Sequence, residues 1–287
     1  MATKILVIGA TGTTGQPLLE KLAGTEGVVV RAATRTPGKM VRDRNIEYVP
    51  FDYKEVSSIQ KALQEVQKVY LVTPFVPELL DYESAVIEQV RHSGVEQVVK
   101  LSVVGADQDD GATPAKIHGQ LEQLIRDTGV AHTFLRPVYF MQNYANFMSE
   151  TILSENAFYL PMGEGKVSVV DTRDVAAVAY KVLTGSGHEG HAYALTGPEA
   201  LSNYEIAAIL SDVLRREIKY VDVSEEQARV SLKAMGMPDW TIANLLELYQ
   251  INKGNATALV SPDFEKVTGS RPTSFREFAQ DYADVFR

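Results

Sequence analysis

Within its first 137 residues the chain alternates short apolar runs with amphipathic stretches, and this rhythm constrains the fold more than any other feature. The first apolar run is 4–8, further strand patterns fall at 28–34, 46–49, 68–72, 97–101 and 132–135, and helical patterns at 17–22, 56–66, 78–92 and 115–127. A run that is apolar throughout suits a strand buried on both faces, and parallel neighbours need crossover connections, most often helices. About six such units in roughly 140 residues predict an α/β protein with a doubly wound parallel sheet.

After Arg136-Pro137 the rhythm changes. Short apolar runs at 158–161, 167–170, 192–195 and 218–223 interleave with helical patterns at 175–183 and 204–214, and from Ser224 onward the pattern is mostly helical. No Gly-, Ser- or Pro-rich tether separates the parts. The expected division is a nucleotide-binding domain over 1–155, with strand and helix returns near 167–183 and 192–195, and a smaller C-terminal substrate lobe over 156–287.

Composition removes several functions. With 37 Asp and Glu against 28 Lys and Arg, the net charge of -9 repels phosphate backbones and anionic membranes, so neither nucleic acid nor a membrane is an expected partner. The absence of Cys excludes disulfides, thiol nucleophiles and cysteine-bound zinc, and the expected location is cytoplasmic. The longest stretch without Asp, Glu, Lys or Arg, 15 residues over 5–19, is rich in Gly and Thr and resembles neither a bilayer span nor a signal-peptide core. Among the five histidines only His188 and His191 are closely spaced, so no metal is expected.

Gly9-x-x-Gly12-x-x-Gly15 falls at the first strand-to-helix junction. Glycines there permit a tight turn and close backbone approach, and the helix N-terminus offers amides to a pyrophosphate. The cradle would comprise Gly9, Thr11, Gly12, Thr13, Thr14 and Gly15, and the sheet is then of the Rossmann type. At the tip of the second strand, Thr34-Arg35-Thr36-Pro37-Gly38-Lys39 offers cations where NAD-binding chains carry a carboxylate. Arg35 and Lys39 suit a ribose 2′-phosphate, so the expected cofactor is NADP(H), with a plain solvated loop the alternative. Asp52 ends the third strand, as an acceptor for an adenine amino group or as a helix N-cap, with Tyr53 offering a flat face. Val72, Thr73, Pro74 and Phe75 leave the fourth strand where a nicotinamide would lie.

These residues resemble the NmrA-like group of atypical short-chain dehydrogenases/reductases along nearly the whole chain. The resemblance rests on GATGTTG at 9–15, YLVTPFVP at 70–77, VVKLSVVG at 98–105, TFLRPVYFMQN at 133–143, FYLPMGEGKVSVVDTRDVAAVA at 158–179, YALTGPEALSNYEIA at 193–207 and VTGSRPTSFREFA at 267–279. Within the family the chain is most similar to azoreductase-like members, and next to quinone, triphenylmethane dye and iminium reductases. The resemblance implies a reductase passing hydride from NADPH to a flat, electron-poor azo compound, quinone or iminium. The family also contains members that bind the nucleotide without turnover, as redox sensors or regulators.

One departure concerns acid catalysis. Classical short-chain dehydrogenases pair Ser with Tyr-x-x-x-Lys to protonate a carbonyl oxygen. Ser102 holds the serine position, but the helix reads Ala115-Lys116-Ile117-His118-Gly119-Gln120-Leu121-Glu122, and the one Tyr-x-x-x-Lys, Tyr249 to Lys253, is a chance match. Electron-poor acceptors, which take hydride without prior protonation of oxygen, are favoured accordingly. His118, Ser102 and Tyr139 are the catalytic candidates. His118 would donate a proton with Glu122, one turn on, orienting its ring, or it packs or solvates. Phe75, Val76, Val104, Phe140, Asn143, Tyr144 and Trp240 are candidates for the wall around a small planar organic substrate, with core packing the alternative for the aromatics. Pro137 and Tyr139 would also face the cofactor. Asp174 reads as an N-cap. The chain is expected as a monomer or homodimer.

Overall fold

Strand β1 (Thr3–Val7) runs through the middle of a seven-stranded sheet, and its Ile5, Leu6 and Val7 are completely buried. The structure is a computed structural model describing residues 2–36, 45–108 and 111–287. After β1 come α1 (Gly15–Leu22), β2 (Val28–Thr34), β3 (Ile46–Pro50), α2 (Val56–Leu63), β4 (Lys68–Leu71), α3 (Leu79–Arg91), β5 (Gln97–Leu101), α4 (Thr113–Arg126) and β6 (Ala131–Pro137). Then follow α5 (Gln142–Phe147), α6 (Ser149–Glu155), β7 (Ala157–Leu160), β8 (Lys166–Val167), α7 (Thr172–Thr184), β9 (Ala192–Leu195), β10 (Leu201–Ser202), α8 (Asn203–Leu214) and β11 (Lys219–Asp222). The chain closes with α9 (Glu225–Ala234), α10 (Asp239–Lys253), α11 (Asp263–Thr268), α12 (Phe275–Asp281) and a 3₁₀ turn, Ala283–Val285.

The sheet order is β3-β2-β1-β4-β5-β6-β9. β1 pairs in parallel with β2 on one side, Thr3 opposite Val28, and with β4 on the other, Ile5 opposite Lys68. The winding reverses between β1 and β4, and in sheets of this kind the crevice for a ligand opens there, at the carboxyl ends of the strands. The Rossmann-type parallel sheet expected from the alternation is therefore present, with helical structure following it.

The chain forms two compact units. The first comprises Met1–Asp109, Ala115–Arg136 and Val175–Tyr193. Its core gathers Leu6 and Ile8, Ile59 and Leu63 of α2, Val86 and Val90 of α3, and Leu121 and Ile125 of α4. Each fully buried Leu or Ile contributes about 1.5–3 kcal/mol. The second comprises Asp110–Pro114, Pro137–Asp174 and Ala194–Arg287, so the expected boundary at 155 falls inside it. Here β7 pairs with β11 in parallel and β8 with β10 antiparallel, while Phe158, Phe275, Phe278 and Phe286 are completely buried. Capping boxes at Ser202/Glu205, Ser224/Gln227 and Ser274/Glu277 start α8, α9 and α12.

Two local expectations change. The run at 167–170 contributes only Lys166–Val167 to a strand, because Ser168 and Val170 donate their amides to Thr257 and Tyr139 instead of continuing a ladder. Helices α5 and α6 occupy 142–155, where the aromatic-rich sequence shows no start signal and neither helix has a side-chain cap.

Candidate active site

The glycine loop needs its glycines for steric reasons. Gly9 has φ +74, in the left-handed region, and a Cβ there would stand 3.1 Å from Val72 Cβ on the neighbouring strand end. A Cβ on Gly15 would lie 2.1 Å from the Gly9 carbonyl oxygen, so α1 starts against bare backbone. The Gly12 amide donates to Gly9 O at 2.9 Å and that of Gln16 to Gly12 O at 3.0 Å, which closes the turn. Helix α1 has no side-chain cap and no acidic residue in its first turn, so no carboxylate competes for its positive end. Thr11 and Thr13 are exposed and Thr14 is buried. This turn fits a dinucleotide pyrophosphate.

At the β2 tip, buried Thr34 accepts a hydrogen bond from the Thr36 amide at 3.3 Å, and Arg35 stands exposed with no ion pair among the described residues. The neighbouring cation on β2 is committed: Arg31 meets Glu47 at 2.6 Å and donates to the carbonyls of Lys61, Ala62 and Gln64. Arg35 is thus the uncommitted guanidinium at the β2 tip, while Lys39 lies outside the described residues. Asp52 is exposed and accepts from the Lys54 amide at 2.9 Å in a local turn; the N-cap position of α2 falls on Glu55, which makes no side-chain cap, so the N-cap role considered for Asp52 does not hold. Tyr53 stacks on Tyr82 with centroids 5.1 Å apart and donates its hydroxyl to Val72 O at 2.8 Å.

Beyond β4, the Val76 amide donates to Pro74 O and that of Leu79 to Val76 O, turning Thr73, Pro74, Phe75 and Val76 into α3. Pro74 is exposed, whereas Phe75 and Val76 are half-buried. Val104, half-buried, sits in the turn after β5. Beneath these loops lies a charged cluster that sequence reasoning missed. Lys100 of β5 and Glu83 of α3 are both completely buried and meet at 2.6 Å. Lys100 Nζ also reaches Leu101 O at 3.2 Å and His118 Nδ1 at 3.1 Å. The Thr73 hydroxyl faces Tyr53 and Glu83 but makes a full hydrogen bond to neither. Burial raises the Glu83 carboxyl against the pull of Lys100. Burial, then the Lys100 charge, holds His118 well below the ordinary histidine range, so the ring is neutral near pH 7. The signal available in the sequence was Lys100 itself, a cation inside the apolar run VVKL.

The expectation that Glu122 orients His118 is corrected by the structure. Glu122, almost fully buried, accepts from Ser102 Oγ at 2.6 Å, from Arg136 at 2.9 and 2.6 Å and from Arg126 at 3.0 Å. Two arginines and a hydroxyl exhaust its capacity, and Lys100 takes its place at the ring. Ser102, 1% exposed, has its proton committed to Glu122 rather than to a ligand. α4 comes this close to the strand ends because Gly119 has no side chain: a Cβ there would lie 2.3 Å from Ala106 O.

The remaining candidates lie in the second unit. Pro137, buried, ends β6, and Phe140 bridges to Val170. Tyr144 is 1% exposed, packs edge-on against Phe158 and Phe275, and donates to Asn203 at 2.8 Å, so it is a core residue and not a pocket wall. Tyr139 packs on the same core beside Tyr249, and burial raises its hydroxyl well above the phenolic range, which makes it a weak proton donor. Asn143 and Trp240 are half-buried, Trp240 in the first turn of α10. The N-cap expected at Asp174 is supplied by Asp171, which accepts from the Arg173 amide at 2.7 Å, whereas Asp174 accepts from the Thr273 amide and hydroxyl. No helix among the described residues is long and apolar enough to cross a membrane, and none of their His, Asp and Glu residues gather into a metal-binding group.

Comparison with known proteins agrees with this geometry. The description of the NmrA-like family matches residues 1–283. The chain is 37% identical to an NAD(P)H azoreductase of Xenophilus azovorans, over 98% of this chain and 99% of that one. It is 35% identical to a (4-alkanoyl-5-oxo-2,5-dihydrofuran-3-yl)methyl phosphate reductase of Streptomyces griseus, over 98% and 99%. Its fold superposes on the NADPH complex of quinone oxidoreductase QOR2 from Escherichia coli with a TM-score of 0.86 and 25% identity, over 99% and 100% of the two chains.

Proposed function

The chain belongs to the NmrA-like family, and we propose that it passes hydride from NADPH to a flat, electron-poor acceptor without a Ser-Tyr-Lys triad. It is an NAD(P)H-dependent reductase. The observation that carries this reading is the glycine turn at the β1/β4 switch point, with Arg35 unengaged at the β2 tip where a 2′-phosphate would lie. Gly9, Gly12 and Gly15 would hold the pyrophosphate and Val72 to Phe75 the nicotinamide end. NADPH bound there supplies a hydride.

The acceptor class follows from what the protein side lacks. Reduction of a ketone needs a proton delivered to oxygen, and here the serine is tied to Glu122 while Tyr249 of the chance Tyr-x-x-x-Lys match is buried in the second unit. A quinone, an azo bond, an iminium or a carbonyl-conjugated alkene takes hydride first and a proton afterwards. The names of the relatives, an azoreductase, a quinone oxidoreductase and a reductase of a dihydrofuranone phosphate, support this grouping. His118, neutral with Nδ1 facing Lys100, is the group proposed to supply the later proton from Nε2.

NADPH oxidation by the purified protein against quinones, azo dyes, cyclic imines and unsaturated lactones, with NADH in parallel, tests the proposal. Turnover with NADPH above the uncatalysed rate for at least one class is expected. Tight NADPH binding with no turnover across the panel would instead make the protein a nucleotide-binding sensor.

A further inference from the structure

We propose that Lys100, seated on Glu83, is a positioning residue that fixes His118 as the Nε2–H tautomer and refills it through Nδ1, so that a buried ammonium backs the proton given to the reduced acceptor. This rests on the reductase reading above and assigns roles to two residues that the fold alone does not explain.

The geometry is one-sided. Lys100 Nζ has three donors and no acceptor, so at 3.1 Å it can only donate to His118 Nδ1. A neutral ring accepting at Nδ1 carries its proton on Nε2. Nε2 points away from Lys100 across the ring, has no partner among the described residues and is not among the sealed polar atoms. Lys100 is held by Glu83 at 2.6 Å and by Leu101 O at 3.2 Å, so His118 Nδ1 completes its three donors. A completely buried Lys–Glu pair costs desolvation that an apolar pair would not, and its retention beside a histidine at the carboxyl end of β5 calls for a role beyond packing. The charged groups acting on the ring are Lys100 from β5 and, behind it, Glu83 from α3. Glu122, one turn along α4, is fully engaged elsewhere.

The proton balance closes. Once the acceptor has gained hydride from NADPH it bears an anion or a basic lone pair. The Nε2–H bond breaks as the acceptor–H bond forms, and one Lys100 Nζ–H bond breaks as Nδ1–H forms. The ring stays neutral, and Lys100 is left as an amine beside the Glu83 carboxylate. Water then returns one proton to Nε2 as the Nδ1 proton goes back to Lys100. The net change is one proton from solvent per hydride transferred.

Two measurements test the relay. Nitrogen NMR of the wild type with NADP+ should show His118 as the Nε2–H tautomer, without titration, from about pH 5.5 to about pH 8. An Nδ1–H tautomer, or a ring charged near neutral pH, overturns the proposal whatever the activity. The second uses Lys100→Met with Glu83→Leu, which removes both charges so that neither is stranded. If the relay operates, kcat falls about 10–100-fold, and the His118 pKa rises with the Lys100 charge gone while burial still holds it below the ordinary histidine range, so that kcat increases toward acid. His118→Asn keeps an acceptor for Lys100 while removing the outward donor. It should lose kcat to a similar degree, and adding it to the paired substitution should cost little more, since both break one path.

A folded paired variant with wild-type kcat and pH profile overturns the relay and leaves the reductase reading standing. So does a triple variant whose losses multiply. If the paired variant fails to fold, His118→Asn and the NMR of the wild type decide. A wild type that binds NADPH but reduces none of the acceptors overturns the reductase reading, and the relay with it, even if the tautomer is as expected.

Discussion

Two rungs join β5 and the residue that follows it to α4, and they are built differently. On one, Ser102 meets Glu122, whose two oxygens receive four hydrogen bonds from a hydroxyl and two arginines. On the other, two residues earlier on the strand and one turn earlier on the helix, Lys100 meets His118. Here Glu83 leaves one buried oxygen without a partner, and the outer ring nitrogen of His118 is free among the described residues. A saturated network has one low-energy arrangement and holds the backbone in it, whereas an unsaturated one keeps valences for a proton or a ligand. The Glu122 rung thus sets where α4 lies, and the Lys100 rung is the one that keeps open valences.

The comparison breaks first at Glu122. Glu122→Ala leaves the largely buried Arg136 with Asp107, at 2.7 Å, as its remaining carboxylate and leaves the Ser102 hydroxyl unpaired, so unfolding in urea should show a loss of about 2–3 kcal/mol. NADPH affinity of the folded fraction should stay within about two-fold of wild type. A variant of normal stability with lost turnover would instead mean that the Ser102 rung belongs to the chemistry.

Gly15→Ala comes next, because its Cβ would meet the Gly9 carbonyl at 2.1 Å and a rigid turn has no soft neighbour to yield. Overpacking of this kind costs about 1–3 kcal/mol of stability, and the displaced turn should lose NADPH binding in calorimetry as well. Normal binding by this variant would show that the loop carries no pyrophosphate. Arg35→Ala touches the ligand edge alone. The NADPH dissociation constant should rise about ten-fold, or about 1.4 kcal/mol, with the NADH constant and the unfolding midpoint unchanged. An unchanged NADPH to NADH ratio removes Arg35 from the phosphate site.

How much of this was legible in the sequence depended on range. The six parallel strands and the glycine turn are encoded locally, in apolar runs and in residues that touch their own neighbours, and both appear as the alternation predicted. The pairings of polar groups are not local. Glu122 was expected to serve His118 because the two stand at i, i+4, but Arg136 and Ser102 approach from β6 and from the end of β5, and their hydrogen bonds outweigh a helix-surface pair. Lys100 and Glu83 went unnoticed because a cation inside an apolar run does not name its partner, and Glu83 looks like a surface charge until tertiary packing seals both. Tyr144 looked like a stacking residue for the same reason: only the folded second unit shows Asn203 waiting for its hydroxyl.

Asp174 offers the smallest effect and the sharpest sign. It accepts two hydrogen bonds from Thr273, as a saturated carboxylate does, yet burial outweighs them and raises its pKa from 3.8 to about 6. A carboxyl raised in the folded state binds protons more tightly there than in the unfolded chain. Its contribution to stability is therefore greatest below about pH 4, declines as pH rises toward 6, and is level above that. Urea midpoints at about pH 4.5 and pH 7 check this, since Asp174→Asn keeps an acceptor for Thr273 but cannot ionise. Relative to wild type the variant should gain on the order of 1 kcal/mol between the two pH values. A variant whose deficit grows with pH would mean that the Thr273 bonds outweigh burial, and Asp174 would then stand with Glu122 as a carboxylate that stabilises the fold by being charged.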